Sequence, residues 1–234
     1  MDDLSLATPE QGSETEAKSP AHALPNPHEL ATQLVAKLCH DFISPTGAII
    51  SGLDLLSDPS AQDMRDDAVN LIQTSATKLV TLVHFARVAF GAATSAEAFS
   101  AKELNNTLSD VFSTMRATLD FDVADDIVFE KPAARALMNL GYIAGNALPT
   151  GGTATIRRED SDEAITLKAQ SNGPRARLKP EAVEGLNGQP LSDGLSGQWI
   201  QPYWLYSVVQ EAGGTLEVNL APDSLSIKIV LPKK

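Results

Sequence analysis

A histidine and an acid stand side by side in the middle of what the sequence predicts to be a long helix. His40 is followed by Asp41, by the hydroxyl group of Ser44 four residues on and by Pro45 five residues on. A neutral imidazole is a nucleophile near neutral pH, and an adjacent carboxylate can hold one ring nitrogen while the other attacks. The spacing therefore predicts nucleophilic chemistry at His40. From the residues alone, a solvated surface histidine beside an ordinary acid remains the alternative.

Helical periodicity places His40 on the solvent side of this helix. Large apolar residues recur at spacings of three and four, at Leu30, Leu34, Leu38, Phe42, Ile49, Leu53 and Leu56. At about 100° per residue, His40 falls almost opposite the centre of this stripe, and Lys37 and Ser44 fall within about 60° of His40. We therefore expect His40, Lys37 and Ser44 to be exposed, and Asp41 to lie between His40 and the core.

Pro45 lies inside the predicted helix. A proline in a helix interior has no N–H to donate, which frees the carbonyl group of Asp41, and it is expected to kink the chain. Gly47 adds conformational freedom just beyond it. A disturbance of this kind so close to an exposed histidine favours the functional interpretation of His40.

The element that carries His40 is the first of two long helices. The apolar pattern begins at His28 and ends in the breaker cluster at residues 57–60, and a second helix is predicted over residues 61–90. The apolar stripe of the second helix comprises Met64, Ala68, Leu71, Ile72, Leu79, Leu82, Val83, Ala86 and Phe90. Helices joined by so few residues pack as an antiparallel hairpin, which alone has too little core to be stable. We therefore expect a homodimer in which two hairpins form a four-helix bundle.

The pattern changes after residues 91–95, which are predicted to be a linker. Beyond it the sequence predicts helices over 102–119, 132–148, 180–186 and 199–212 and strands over 119–123, 153–158, 165–170, 215–220 and 224–231. Gly213 and Gly214 are expected to end the last helix. Helices combined with a sheet of antiparallel appearance predict an α+β sandwich for this half of the chain.

Composition and charge limit the kinds of partner. The 234 residues include 18 Lys and Arg against 30 Asp and Glu, a net charge of −12, which argues against binding to nucleic acid. The single cysteine, Cys39, excludes an internal disulfide and a cysteine-rich zinc site. No apolar run reaches the roughly 18 residues of a membrane helix, and residues 1–27 are acidic and poor in large apolar side chains, which predicts a disordered tail. We expect a cytoplasmic protein that contacts neither membrane nor nucleic acid.

The run from His40 to Pro45 (HDFISP) resembles the phosphoacceptor box of two-component histidine kinases. In that family a helix of a dimerisation hairpin carries the histidine, an acid at i+1, a small hydroxyl or amide residue at i+4 and a proline at i+5. Residues 137–148 resemble the kinase N-box helix, with its asparagine at Asn146, and residues 208–216 resemble the end of the kinase ATP-binding domain. The resemblance implies a C-terminal half built like that domain.

The same resemblance indicates that the ATP site of a kinase is missing. The acidic box that grips adenine through a carboxylate is replaced by residues 170–174 (QSNGP), which contain no aspartate. Residues 197–202 (GQWIQP) stand where kinase glycines would reach the phosphates. Bulky Trp199, and Pro202 without an N–H, make a poor phosphate cradle. We therefore expect a kinase-like body that binds no ATP and holds no cofactor.

A kinase-like body with an intact histidine and a lost nucleotide site resembles the ChpT-type histidine phosphotransferases of alphaproteobacteria. The matching segments are residues 37–45 (KLCHDFISP), 51–56 (SGLDLL), 87–92 (RVAFGA) and 173–178 (GPRARL). The resemblance runs from about residue 29 to the end. It implies a disordered acidic tail over 1–27, a hairpin for dimerisation and histidine phosphotransfer over 28–91, and a degenerate ATPase domain of the GHKL histidine-kinase type over 97–234.

The family implies a phosphorelay. The receiver domain of a hybrid kinase would pass its phosphoryl group to His40, and His40 would pass it to the aspartate of a response regulator. In ChpT relatives these partners are CckA upstream and CtrA and CpdR downstream. Asp41 would orient or deprotonate the imidazole, whereas Lys37, Ser44 and Phe42 would line the docking surface. The receiver would bring the Mg²⁺, so the chain would need no metal of its own.

Other functions could use the same residues. A non-catalytic scaffold that binds receivers would have the same fold, but it gives no reason for an exposed histidine beside Pro45. An active kinase would need the ATP site, and a phosphatase acting through Ser44 would rely on a hydroxyl group that orients water less well than an amide. For Asp41, an ion pair with Lys37 four residues earlier is the alternative to a role in the chemistry.

Overall fold

The computed structural model describes residues 24–91 and 97–233. Most of the predicted acidic tail (residues 1–23) and most of the predicted linker (residues 92–95) lie outside the described residues. Pro27, the last residue of the predicted tail, already begins a helix. The Asn26 side chain caps this helix by accepting a hydrogen bond from the N–H of Glu29, and a proline suits the first helical position because its φ is preset.

Two helices form the N-terminal hairpin, as the periodicity predicts. Helix α1 spans Pro27–Ser57 and helix α2 spans Arg65–Ala89, with a short 3-10 helix at Gln62–Met64 between them. α2 begins four residues later than predicted because the turn before it is wound more tightly than an α-helix. α1 is continuous through Pro45, which is buried, so the proline does not end the helix.

The two helices approach closely at Gly52 of α1. A Cβ atom added to Gly52 would lie 2.6 Å from Cγ1 of Ile72 and 3.1 Å from the backbone oxygen of Ala68, both on α2. Gly52 and Ala68 are buried. The absence of a side chain at Gly52 therefore allows α1 and α2 to pack at this distance.

A single hairpin buries only part of the two predicted apolar stripes. Leu53, Met64, Leu71 and Val83 belong to those stripes but are exposed. They are exposed in the single chain because each helix has only one neighbouring helix within the hairpin, and their burial against a second copy stays a prediction. We call the exposed large apolar residues of α1, α2 and the turn between them, apart from Leu71 on the opposite side of α2, the apolar face of the hairpin: Val35, Ile43, Ile50, Leu53, Met64, Val69, Val80 and Val83.

The C-terminal part contains a five-stranded sheet. Its strands are β2 (Ala117–Asp122), β4 (Gly152–Asp160), β5 (Ala164–Asn172), β6 (Thr215–Ala221) and β7 (Ser224–Pro232). Their order is β2-β4-β5-β7-β6. β2 runs parallel to β4, whereas the other neighbours are antiparallel. The predicted antiparallel sheet is thus a mixed one, because the connection from β2 to β4 contains helix α4 (Lys131–Asn146) and returns the chain in the same direction.

Two short strands, β1 (Ala98–Ser100) and β3 (Val128–Glu130), form a separate antiparallel pair that the periodicity does not predict. Three residues are too few to show a period of two. The remaining helices are α3 (Ala101–Phe112), α5 (Pro180–Leu186) and α6 (Ser196–Glu211). α3 ends well before the predicted residue 119, because the hydroxyl groups of Ser113 and Thr114 donate to carbonyl oxygens of its last turn. Among the helices of the described ranges, none has the length and apolar character needed to cross a membrane.

One hydrophobic core joins the hairpin to the C-terminal part. Phe85 and Ala89 of α2 pack in the same buried cluster as residues of α3, α4, α6 and the five-stranded sheet. The carbonyl oxygen of Ala89 accepts two hydrogen bonds, from Nδ2 of Asn139 at 2.8 Å and from Nε1 of Trp204 at 2.9 Å. The end of α2 is therefore held by α4 and α6 together, and this attachment positions α1 beside the C-terminal part.

Candidate functional site

His40 lies in the middle of α1 with its side chain almost fully in solvent. The exposed fraction of the side chain is 87%, which confirms the position predicted from helical periodicity. An imidazole on the surface of a helix can be reached by a reactive group carried on another macromolecule. The site is therefore open rather than enclosed.

Asp41 contacts both the histidine and a lysine. Its Oδ1 atom lies 3.5 Å from Nδ1 of His40, and its Oδ2 atom accepts a hydrogen bond of 2.7 Å from Nζ of Lys37. The two interpretations of Asp41 are therefore compatible, since one carboxylate oxygen faces each partner. With Nδ1 directed at Asp41, Nε2 is the ring nitrogen left free to react.

Lys37 does not lie on the outward face of α1, and this part of the prediction is wrong. Its side chain is only 12% exposed, because Tyr142 of α4 lies against it. Nζ of Lys37 is 5.6 Å from the centre of the Tyr142 ring, within the range of a cation–π interaction. Tyr142 also packs on Phe85 of α2, with 5.1 Å between ring centres. Helical periodicity does not predict Tyr142, because the pattern of one helix carries no information about a side chain from a distant segment.

The other two predicted docking residues differ in exposure. Ser44 is exposed, as predicted, whereas Phe42 is half-buried. Between them, Ile43 has an exposed fraction of 70% and adds an apolar surface that the sequence analysis does not single out. The docking role of Lys37, Ser44 and Phe42 stays a prediction.

A cleft of about 720 Å³ lies between α1 and the C-terminal part. His40 and Asp41 line one side of it, and Asn146, Arg177 and Lys179 come from the C-terminal part. The side chains of Arg177 and Lys179 are exposed. They place two positive charges near His40 on a protein whose net charge is −12.

The residues at the positions of the kinase nucleotide boxes are engaged within the chain. Oδ1 of Asn172 accepts a hydrogen bond of 3.0 Å from Oγ of Ser224. Trp199 is buried and stacks on Tyr203 with 4.3 Å between ring centres, and Pro202 is buried within α6. In the described part of the chain, no group of three or more His, Cys, Asp or Glu side chains could hold a metal ion.

Comparisons with known proteins find a matching family model, a relative and similar solved structures. The family model described as "Histidine phosphotransferase C-terminal domain" matches residues 101–224. The protein phosphotransferase ChpT of Brucella abortus (strain 2308) is 29% identical over 198 residues, which cover 84% of this chain and 93% of that protein. A solved structure of a bacterial phosphotransferase matches with a TM-score of 0.78 and 26% identity. The match covers 89% of this chain and 99% of the chain in that structure. The histidine kinase domain of the blue-light-activated kinase of Erythrobacter litoralis EL346 matches with a TM-score of 0.44 and 14% identity, over 81% of this chain and 95% of its own.

The observed elements and the match to the bacterial phosphotransferase structure confirm the predicted α+β class, with an N-terminal helical hairpin before a sheet and helices of the C-terminal part. The comparisons also confirm the predicted class of activity, since the matched family and relatives are phosphotransferases. The family model covers more than half of the chain. The protein therefore belongs to the histidine phosphotransferase family.

Proposed function

We propose that this protein is the histidine phosphotransferase of a phosphorelay and that His40 is its phosphoacceptor. A phosphoryl group would pass from the receiver aspartate of a hybrid kinase to His40, and from His40 to the aspartate of response regulators, in a relay of the CckA to CtrA and CpdR type. One observation carries the proposal: the His40 side chain is 87% exposed in mid-helix while its Nδ1 atom faces Asp41.

The chemistry requires little from this chain. The lone pair of Nε2 on His40 attacks phosphorus, the bond from phosphorus to the receiver carboxylate oxygen breaks, and its electron pair returns to that carboxylate. The imidazole becomes positively charged on forming the N–P bond, and the carboxylate of Asp41 faces that charge. Transfer onward is the reverse sequence with a second receiver. The receiver would supply the Mg²⁺ and the lysine that stabilise the transferring group, so His40 has to be exposed and aligned in line.

The relay would proceed without ATP and without a cofactor on this chain. Asn172, in the segment that replaces the acidic kinase box, has a side-chain oxygen occupied by Ser224. Trp199 and Pro202 occupy buried positions in α6, where the resemblance places a phosphate cradle in kinases. A buried tryptophan and a proline without an N–H, in place of the kinase glycines, support a relay that uses no nucleotide.

The receiver and a second copy of the chain would bind at two different surfaces. A receiver would dock around His40, with Ser44 exposed on that surface and Phe42 half-buried beside it. The apolar face of the hairpin supports a homodimer, because burying it against a second copy would remove its large side chains from water. We place such a relay protein in the cytoplasm.

Exchanging His40 for alanine tests the relay. Two purified receivers, one phosphorylated on its aspartate and one not, are mixed with the wild-type chain, with His40→Ala or with His84→Ala, whose histidine is also exposed, on α2. We expect the second receiver to become phosphorylated with the wild-type chain and with His84→Ala, but not with His40→Ala. Transfer that persists with His40→Ala would contradict the proposal.

Three further measurements separate the alternatives. A non-catalytic scaffold would bind the phosphorylated receiver without moving its phosphate, in both the wild-type chain and His40→Ala. An active kinase would label His40 from radioactive ATP in the absence of any receiver, whereas we expect no label. A phosphatase acting through Ser44 would release inorganic phosphate from the receiver at a rate that Ser44→Ala lowers.

A further inference from the structure

The contacts around Asp41 extend in a line from the phosphotransfer histidine to the C-terminal core. Nδ1 of His40 faces Oδ1 of Asp41 at 3.5 Å, and Oδ2 of Asp41 accepts a 2.7 Å hydrogen bond from Lys37. Nζ of Lys37 lies 5.6 Å from the centre of the Tyr142 ring. Each member of the line contacts the next, and the last member belongs to α4 rather than to the hairpin.

Tyr142 is itself well supported. Its ring lies 5.1 Å from the ring of Phe85 between centres, and Phe85 is buried in the common core. Both neighbours of Tyr142 along α4, Gly141 and Ile143, are buried. The ring is therefore a fixed surface on which a flexible side chain can be held.

Lys37 needs such a surface because a lysine side chain has many rotamers in solution. Its side chain is only 12% exposed, and the ammonium group lies between the ring of Tyr142 and the carboxylate of Asp41. An aromatic face attracts an ammonium group. With the ring in place, the ammonium group is kept beside Oδ2 of Asp41, and the carboxylate keeps its other oxygen toward His40.

We propose that Tyr142 and Lys37 are positioning residues for phosphotransfer: they orient Asp41 so that it holds the proton on Nδ1 of His40 and leaves Nε2 free to attack. This inference rests on the proposed function. It assigns Lys37 an internal role, in place of the direct contact with a receiver that the sequence suggests, and it makes the C-terminal part a participant in the chemistry of α1. Neither Tyr142 nor Lys37 contacts the phosphoryl group in this arrangement.

The tests use Tyr142→Leu, which removes the aromatic face, Tyr142→Phe, which keeps it, and Lys37→Met, which keeps the apolar stem and removes the charge. The matched control is Lys102→Met, at an exposed lysine on α3. The donor is a purified CckA-type receiver phosphorylated on its aspartate. The rate of transfer to the full chain is measured against receiver concentration, which separates the rate at saturation from the half-saturating concentration.

We expect Tyr142→Leu and Lys37→Met to lower the saturating rate by about 5- to 20-fold, the scale of one weakened charge-assisted hydrogen bond. The half-saturating concentration should stay within about two-fold, because docking is unchanged. Tyr142→Phe should recover the wild-type rate, and the double variant should be no slower than the slower single variant, since the two residues act in one line. Wild-type rates in Tyr142→Leu and Lys37→Met, or a change confined to the half-saturating concentration, would overturn the inference.

The tautomer of His40 provides a readout that does not depend on a receiver. ¹H–¹⁵N correlations of labelled histidine show which ring nitrogen carries the proton, and His40→Ala assigns the signal. We expect the proton on Nδ1 in the wild-type chain and in Tyr142→Phe, and a shift of population towards the other tautomer in Tyr142→Leu. A wild-type histidine protonated mainly on Nε2 would overturn the inference even if transfer is normal. A wild-type chain that accepts no phosphoryl group at all would instead overturn the proposed function, and this inference with it.

Discussion

His40 meets two requirements of a phosphoryl carrier that are difficult to combine. The ring has to be open to a large partner, and one of its nitrogens has to be free while the other is protonated. Exposure on the surface of α1 provides the first, and the adjacent carboxylate of Asp41 provides the second. Ser44, one turn further along α1, is exposed on the surface that we propose for receiver docking.

A large charged side chain in place of Ser44 should therefore weaken receiver binding more than it slows phosphoryl transfer. We expect Ser44→Arg to raise the half-saturating receiver concentration at least about ten-fold, because a large side chain in a docking surface prevents close packing. The rate at saturation should change much less, since Ser44 does not hold the ring of His40. Ser109→Arg, at an exposed serine on α3, is the control. A fall in the saturating rate alone would contradict a docking role.

The exposure of a single residue can be predicted from the sequence where it depends on one helix alone. The exposure of His40 and Ser44 follows from the period of 3.6 residues, and so does the half-covered position of Asp41. Lys37 is the exception, because its environment is set by Tyr142, more than a hundred residues later in the chain. Helical spacing cannot report a contact that depends on how the C-terminal part packs.

The hairpin that carries His40 depends on close packing between its helices. Gly52 is the position where this dependence is sharpest, since an added Cβ would lie 2.6 Å from Ile72 of α2. Gly47 lies five residues earlier on the same helix, and nothing lies within 4 Å of a Cβ added there. The two glycines therefore form a matched pair.

Alanine should have opposite effects at these two glycines. We expect Gly52→Ala to lower the free energy of unfolding by about 1–3 kcal/mol through overpacking, even though the helix propensity of alanine is higher than that of glycine. Gly47→Ala should raise it by about 0.5–1 kcal/mol, because the helix gains propensity at no steric cost. Urea unfolding at one fixed chain concentration measures both. Equal effects of the same sign would contradict the close approach at Gly52.

At the element scale, the long helices and the strands of the main sheet are predicted because each is long enough to show its period. The short strands Ala98–Ser100 and Val128–Glu130 are missed, since three residues carry no recognisable pattern. The parallel pairing of β2 with β4 is missed for a different reason. Strand direction depends on the path of the connecting helix α4, which the local sequence of the strands does not encode.

The whole molecule combines a strong negative charge with local exceptions. The net charge of −12 disfavours nucleic acid, whereas Arg177 and Lys179 make the cleft beside His40 more positive than the rest of the protein. Receivers are often acidic around their reactive aspartate, so this local charge would favour their approach. The apolar face of the hairpin is the second exception, and it is the surface on which a second copy would pack.

A charge placed within the apolar face should dissociate the proposed dimer. Ile50 is 55% exposed in the single chain, and Ile50→Asp would bury two carboxylates per dimer. We expect the dissociation constant of the dimer to rise at least about ten-fold, from a loss of more than about 1.4 kcal/mol. Sedimentation velocity over a concentration series measures the change. Leu220→Asp, at a comparably exposed leucine on β6, should leave it unaltered, and a wild-type chain that is monomeric throughout would contradict the dimer.

If His40 carries the phosphoryl group between two receivers, a phosphorylated form of this chain can be isolated, and a pulse–chase experiment with site mapping detects it. The chain is incubated with a receiver phosphorylated on its aspartate, isolated, and digested for mass spectrometry; a second portion is chased with an unphosphorylated response regulator. We predict an acid-labile, alkali-stable phosphoryl group on the peptide that contains His40, and its disappearance as the regulator becomes phosphorylated. Phosphate on any other residue, or a phosphorylated His40 that does not transfer to the regulator, would contradict a relay through His40.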